Sequence, residues 1–324
     1  MGRQVRTLGI VVGVILLGIF PLVVQGYILY VAMTVAIFGL VALGLNILFG
    51  YAGQISLGHA GFLCIGAYAT ALFSAWGTPI PLGLAGAGAI TAMGGLLMGF
   101  PAIRLSGLHL AIATLGFGVV VERVFFSWES FTGGGAGLKV VRPSVGPWIV
   151  NTDIRFYYLV VATVCLLTLI AKNLLHQKAG RAFHAIRESE IAASTLGVNV
   201  VRAKLLAFVM SAFYTGVAGG LFAHLIQFLS VQTFNLSLSI SFLIMVIIGG
   251  LGSLAGAFIG AAFVMVLPEI LRPIKDYQAL VFGAMALAAI LFMPGGISAG
   301  IRRVLALRLA SADRPQRDIR ASNR

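Results

Sequence analysis

YILYVAMTVAIFGLVALGLNILF, residues 27–49, carries no charged side chain, and as a helix it reaches about 35 Å at roughly 1.5 Å per residue. That exceeds the roughly 30 Å hydrocarbon core of a bilayer. Backbone in lipid must satisfy its own polar groups, so such a run is either a helix or part of a closed barrel. The pattern excludes the barrel, whose strands alternate lipid-facing and lumen-facing side chains, whereas this stretch is apolar throughout. Comparable runs recur along the 324 residues, of which 60% are hydrophobic and only 10% charged. The fold class is therefore all-α: a polytopic helical membrane protein.

Charge placement orders the runs. The net charge of +13 could suit nucleic acid, but no segment offers a soluble basic surface interleaved with aromatics. Instead, 16 of the 22 lysines and arginines fall in four places: Arg3 and Arg6; Arg104; residues 172–204; and residues 302–324. If those places are cytoplasmic, the positive-inside bias is 16 against 6. About ten membrane segments then fit: 8–24, 27–49, 59–76, 80–100, 106–126, 156–171, 204–225, 236–249, 254–268 and 278–293. Even parity returns both termini to the cytoplasm, and segments 106–126 and 236–268 are open to being re-entrant or broken. The first run is expected to be a retained helix rather than a signal peptide, since no small-x-small site follows cleanly. Residues 1–300 form one transmembrane domain, and 301–324 a basic cytoplasmic tail too polar to pack. Residues 127–155 form a Gly- and Pro-rich external loop.

The 41 glycines suit close helix packing, as in GGLGSLAGAFIG, Gly249 to Gly260, where they recur four apart. A weak echo of AGFLCIGA, Ala60 to Ala67, returns as AGAFIGA, Ala255 to Ala261. Cys64 and Cys165 both lie inside apolar runs and read as small core hydrophobes. No phosphate-binding GxxxxGK[ST] loop occurs, since GGGAGLK at Gly133 to Lys139 lacks the Gly-Lys pair. ATP, if it drives this protein, is bound by another chain. Of the nine acidic residues only Glu122 falls within a span, which disfavours an intramembrane aspartyl or metal site and an ion-coupled carrier.

Two stretches stand out from the apolar background. GYAGQISLGHAGF places Gly50, Gly53, Gly58 and Gly61 around Gln54, Ser56 and His59, which permits non-helical backbone of the kind tolerated at membrane depth only inside protein or against water. Ser56 is expected either to cap a helix restarting near His59 or, with Asn46, Gln54, His59 and Thr114, to face a translocation pathway or inner gate. The second stretch, residues 178–202, spaces Phe183, Ile186, Glu190 and Ala193 by three and four, as one short amphipathic helix ended by Gly197. It reads as an interfacial helix or as a docking helix for a cytoplasmic partner.

Those stretches carry a resemblance. GLNILFGYAGQISLGHAGFLCIGAY (Gly44 to Tyr68), RLSGLHLAIATLGFG (Arg104 to Gly118) with WESFTGGGAGL (Trp128 to Leu138), GRAFHAIRESEIAASTLGVNVVRAKLLAFVMSAF (Gly180 to Phe213) and MVIIGGLGSLAGAFIGA (Met245 to Ala261) resemble the permease subunits of branched-chain amino acid ABC importers, the LivM branch of the LivH/LivM family. The resemblance implies a type II-like importer permease in the bacterial inner membrane, without enzymatic activity or cofactor of its own. It implies a second related permease, two cytoplasmic ATPase subunits that bind ATP, and an extracytoplasmic solute-binding protein. It also implies an EAA-x-x-x-G coupling segment, here Ala192, Ala193 and Gly197, with Ile191 where that motif has Glu and with Glu190 one position earlier. Arg181, Phe183, Ile186, Arg187, Glu188 and Glu190 join it as expected ATPase-coupling residues. Within the same family, urea, short amides or other amino acids are alternative cargo. The other classes are a secondary carrier and a membrane enzyme using Glu122, or His59 and His109.

Overall fold

Local signals mark several helix starts among the described residues. The computed structural model describes residues 18–140, 144–145, 148–149 and 152–277, then 280–281, 283–285, 287, 291 and 296–300. Gly26, at φ 66, turns the chain into α1 (Tyr27–Asn46), which widens into a π-helical turn over Ile47–Tyr51. After a non-helical stretch come α2 (His59–Ala75), α3 (Ile80–Arg104) and α4 (Gly107–Ser127). α3 opens on proline, whose missing N–H costs nothing in a first turn. Then follow α5 (Asp153–His176), the short α6 (Lys178–Glu188) and α7 (Glu190–Thr195), α8 (Val200–Ile226), α9 (Leu236–Gly249) and α10 (Leu254–Ile270). Side-chain oxygens of Asn199, Asn235 and Ser253 accept the first-turn amides of α8, α9 and α10.

Among the described residues, five helices are long and apolar enough to cross a membrane: Tyr27–Tyr51, α3, α4, α5 and α8. α2, α9 and α10 are shorter apolar helices, and the 14 residues of α9 reach only about 21 Å. The expected segments from 27–49 to 254–268 thus all coincide with helices, five of them long and three shorter. Most of segments 8–24 and 278–293, and all of the tail 301–324, lie outside the described residues.

α8 is the central post. Its apolar window is 78% buried, against 22% for α4, and α1, α2 and α3 pack around it while α10 lies against α1 and α9. Glycine permits the closest crossings. A Cβ at Gly66 would stand 2.2 Å from the Gly216 carbonyl oxygen, and one at Gly260 would stand 1.8 Å from that of Met245, so α2–α8 and α9–α10 meet backbone to backbone. At the far end of α8, β2 (Phe228–Leu229) pairs antiparallel with β1 (Leu138–Lys139), pinning part of the loop between α4 and α5 to the bundle.

α2 and α9 begin inside this bundle. His59, the first residue of α2, reaches Ser211 well within α8, and the Ala60 amide donates to the hydroxyl of Ser239 in the first turn of α9 at 3.0 Å. α2 and α9 therefore meet N-terminus to N-terminus. The stretch 236–268, which the sequence leaves open to being broken, is indeed two helices joined at the tight turn Gly250–Ser253.

Candidate functional site

The glycine-rich break after α1 is built from polar groups that bind one another. Asn46 is fully buried, and its amide clamps the Gly250–Ser253 turn from both sides: Nδ2 donates to the Ser253 carbonyl at 2.8 Å, and Oδ1 accepts from the Gly252 amide at 2.9 Å. His59 is likewise fully buried, with Nδ1 3.1 Å from the Ser56 hydroxyl and Nε2 2.7 Å from that of Ser211. Thr114 in α4 accepts from the Leu57 amide at 3.0 Å and donates to the Ala111 carbonyl at 2.9 Å. Ser56 does not cap α2. The N-cap position is Gly58, and Ser56 closes a local turn by accepting from the Gly58 amide while it orients the His59 ring. The five residues are thus gathered in one region, each holding an internal partner.

The second stretch departs from its expectation in one respect. It is two helices rather than one, because Ser189 is extended and caps α7 by accepting from the Ala192 amide, which ends α6 at Glu188. An α-helix cannot pass through that conformation. Gly197, at φ 82, does terminate α7. The break splits the expected coupling residues into two sets. Phe183, Ile186 and Ala193 are buried and anchor the segment to the bundle, whereas Arg181, Glu188, Ala192 and Gly197 are exposed. Ile191 and Leu196 stand out more sharply, at 79% and 81% exposed.

Arg187 and Glu190 turn toward the bundle. The Arg187 guanidinium donates through Nη1 to the Gly50 carbonyl, one of the carbonyls that a helix end leaves without a ladder partner. Its stem lies against Gly53, where a Cβ would come within 3.2 Å and where φ is +70, so both space and conformation require glycine. Glu190 Oε1 holds Lys204 Nζ at 2.7 Å, and Gln54 Nε2 stands 3.5 Å from the same oxygen. Lys204, buried in the first turns of α8, also donates to the Ala102 carbonyl near the end of α3 at 3.2 Å. Sequence reasoning missed Lys204 because a single lysine beside a span reads as positive-inside charge.

A cavity of about 480 Å³ lies elsewhere, between α3, α5 and α8. Its lining is apolar apart from Thr163 and Tyr214, and the Tyr214 hydroxyl is committed to the Leu167 carbonyl, so it offers nothing to a zwitterion.

Comparison with known proteins gives a consistent picture. The model of the family described as branched-chain amino acid transport system, permease component, matches residues 27–293. The chain is 33% identical to the high-affinity branched-chain amino acid transport system permease LivM of Salmonella typhimurium, over 87% of this chain and 72% of that protein. Against LivM of Escherichia coli K12 the identity is also 33%, covering 90% and 75%. The LivH permease of Salmonella typhimurium is 26% identical over 80% of this chain and 90% of its own length. No solved structure matches the chain at a significant level.

Proposed function

This chain belongs to the branched-chain amino acid transport permease family, and on that premise we propose that it is the membrane-spanning permease subunit of an ATP-driven importer for leucine, isoleucine and valine. It provides half of a translocation pathway beside a related permease; similarity to both LivM and LivH supports such a pair. Two cytoplasmic ATPases bind the ATP, and an external binding protein delivers the solute. No cofactor is held by this chain, and no chemistry is done on the cargo.

One observation carries the ATPase contact. Ile191 and Leu196 are large apolar side chains held out almost fully exposed on a polar segment between two spanning helices. A hydrophobic pair presented this way favours a protein partner over water. In this reading the pathway runs beside the polar break, whose buried Ser56, His59, Ser211 and Thr114 are committed to internal partners and hold the irregular backbone in place. Asn46 and Gln54 frame it as an inner gate.

The test is co-purification of the neighbouring ATPase gene product with this chain from detergent-solubilised membranes. An ATPase that stays with the wild type, and is lost from the Ile191→Asp, Leu196→Asp variant, supports the reading. Retention in the variant removes these two residues from the contact; a wild type with no ATPase contradicts the importer.

A further inference from the structure

The polar ties between α7 and the membrane helices meet at one carboxylate oxygen. Glu190 Oε1 takes the Lys204 ammonium at 2.7 Å on one side and faces the Gln54 amide at 3.5 Å on the other. Lys204 is 1% exposed, so its charge needs a partner wherever it goes. Gln54 is 5% exposed, and its own Oε1 is buried without a hydrogen-bond partner. A buried acceptor left in that condition calls for an explanation.

α7, held by the buried Ala193, is bounded on both sides by residues outside the helical conformation. Ser189, at φ −165 and ψ 120, and Gly197, at φ 82, break the helical path on either side of it. Hinges of this kind absorb rotation at a few terminal residues while the helix between them stays intact. Ile191, the large apolar side chain that α7 holds exposed, directly follows Glu190. A push on Ile191 therefore moves the carboxylate that holds both α8 and the glycine-rich break.

We propose that Glu190, Lys204 and Gln54 form the transmission joint of this permease, with Lys204 as the positioning residue that converts tilting of α7 into movement of α8 and of the break at residues 50–54. This deepens the importer reading and rests on it. The joint is distinct from the partner contact: Ile191 and Leu196 receive the movement, and Lys204 passes it inward.

Lys204→Met keeps the length of the side chain and removes the buried charge, and Glu190→Gln keeps an acceptor for Lys204, so the two variants bracket the joint without emptying it. Each is assembled with the neighbouring permease, ATPase and binding-protein gene products in liposomes, and radiolabelled leucine uptake is read per ATP hydrolysed. Both variants should retain the ATPase at wild-type amounts and lose at least about five-fold in uptake per ATP, the lower end of ordinary coupling between sites. Lys204→Arg should recover most of that loss. Wild-type uptake per ATP in either variant overturns the joint, as does loss of the ATPase in step with uptake. Leucine uptake by the wild type that is absent or independent of ATP overturns the importer reading instead, and the joint with it.

Discussion

A side chain such as Asn46 looks in the sequence like a polar residue available to solute, yet both ends of its amide are committed to the turn between α9 and α10. Nothing local marks it so, because its partners lie more than 200 residues away in the chain. Asn46→Ala should orphan a buried donor and a buried acceptor, at about 1–3 kcal/mol each. The check is the thermal midpoint of the purified subunit in detergent; an unchanged midpoint would show the clamp to be dispensable. Crossing glycines follow a harsher rule. Gly66→Val would drive a side chain into the Gly216 backbone, which cannot move aside as a flexible side chain can, so the variant should fail to accumulate in membranes. The four-residue spacing at 249–260 makes one such crossing legible in the sequence, and the same spacing recurs at Gly216 and Gly220 on the helix that Gly66 meets.

Helices were the most legible elements, because an uninterrupted apolar run in lipid has only one local solution. Segment 236–249 falls on α9 without displacement, and the others differ by a few residues at their ends. Less visible was the break at Ser189. Three- and four-residue spacing continues straight through it, so periodicity reports one amphipathic helix where a capping serine makes two. The consequence is functional, since Arg187 and Glu190 bond to the bundle from either side of the break while Ile191 and Leu196 stay outward. Gly197 closes α7 in a left-handed conformation that proline, fixed near φ −65, cannot adopt. Gly197→Pro should leave the subunit inserted while ATP hydrolysis continues without uptake. Wild-type coupling in that variant would remove α7 from the mechanism.

Seen whole, the molecule is a multi-pass inner-membrane permease whose polar interior was harder to foresee than its apolar exterior. The glycine-rich stretch announced irregular backbone, and the structure supplies the reason: it returns the chain to the interior so that α2 can begin opposite α9. Of the ten segments expected from charge parity, eight fall on five long helices and three shorter ones among the described residues, and the other two lie mostly outside them. The break, the end of α3 and the segment 178–202 are tied together at one end of the bundle by Arg187, Glu190 and Lys204. That arrangement links the segment 178–202 directly to the glycine-rich break. The central claim is that this permease moves branched-chain amino acids only when ATP is hydrolysed by partner subunits. Its most direct test is radiolabelled leucine uptake into liposomes holding this chain and its neighbouring gene products, with and without enclosed ATP. The account predicts accumulation that requires ATP, the ATPase and the binding protein together; uptake by this chain without any ATPase would contradict it.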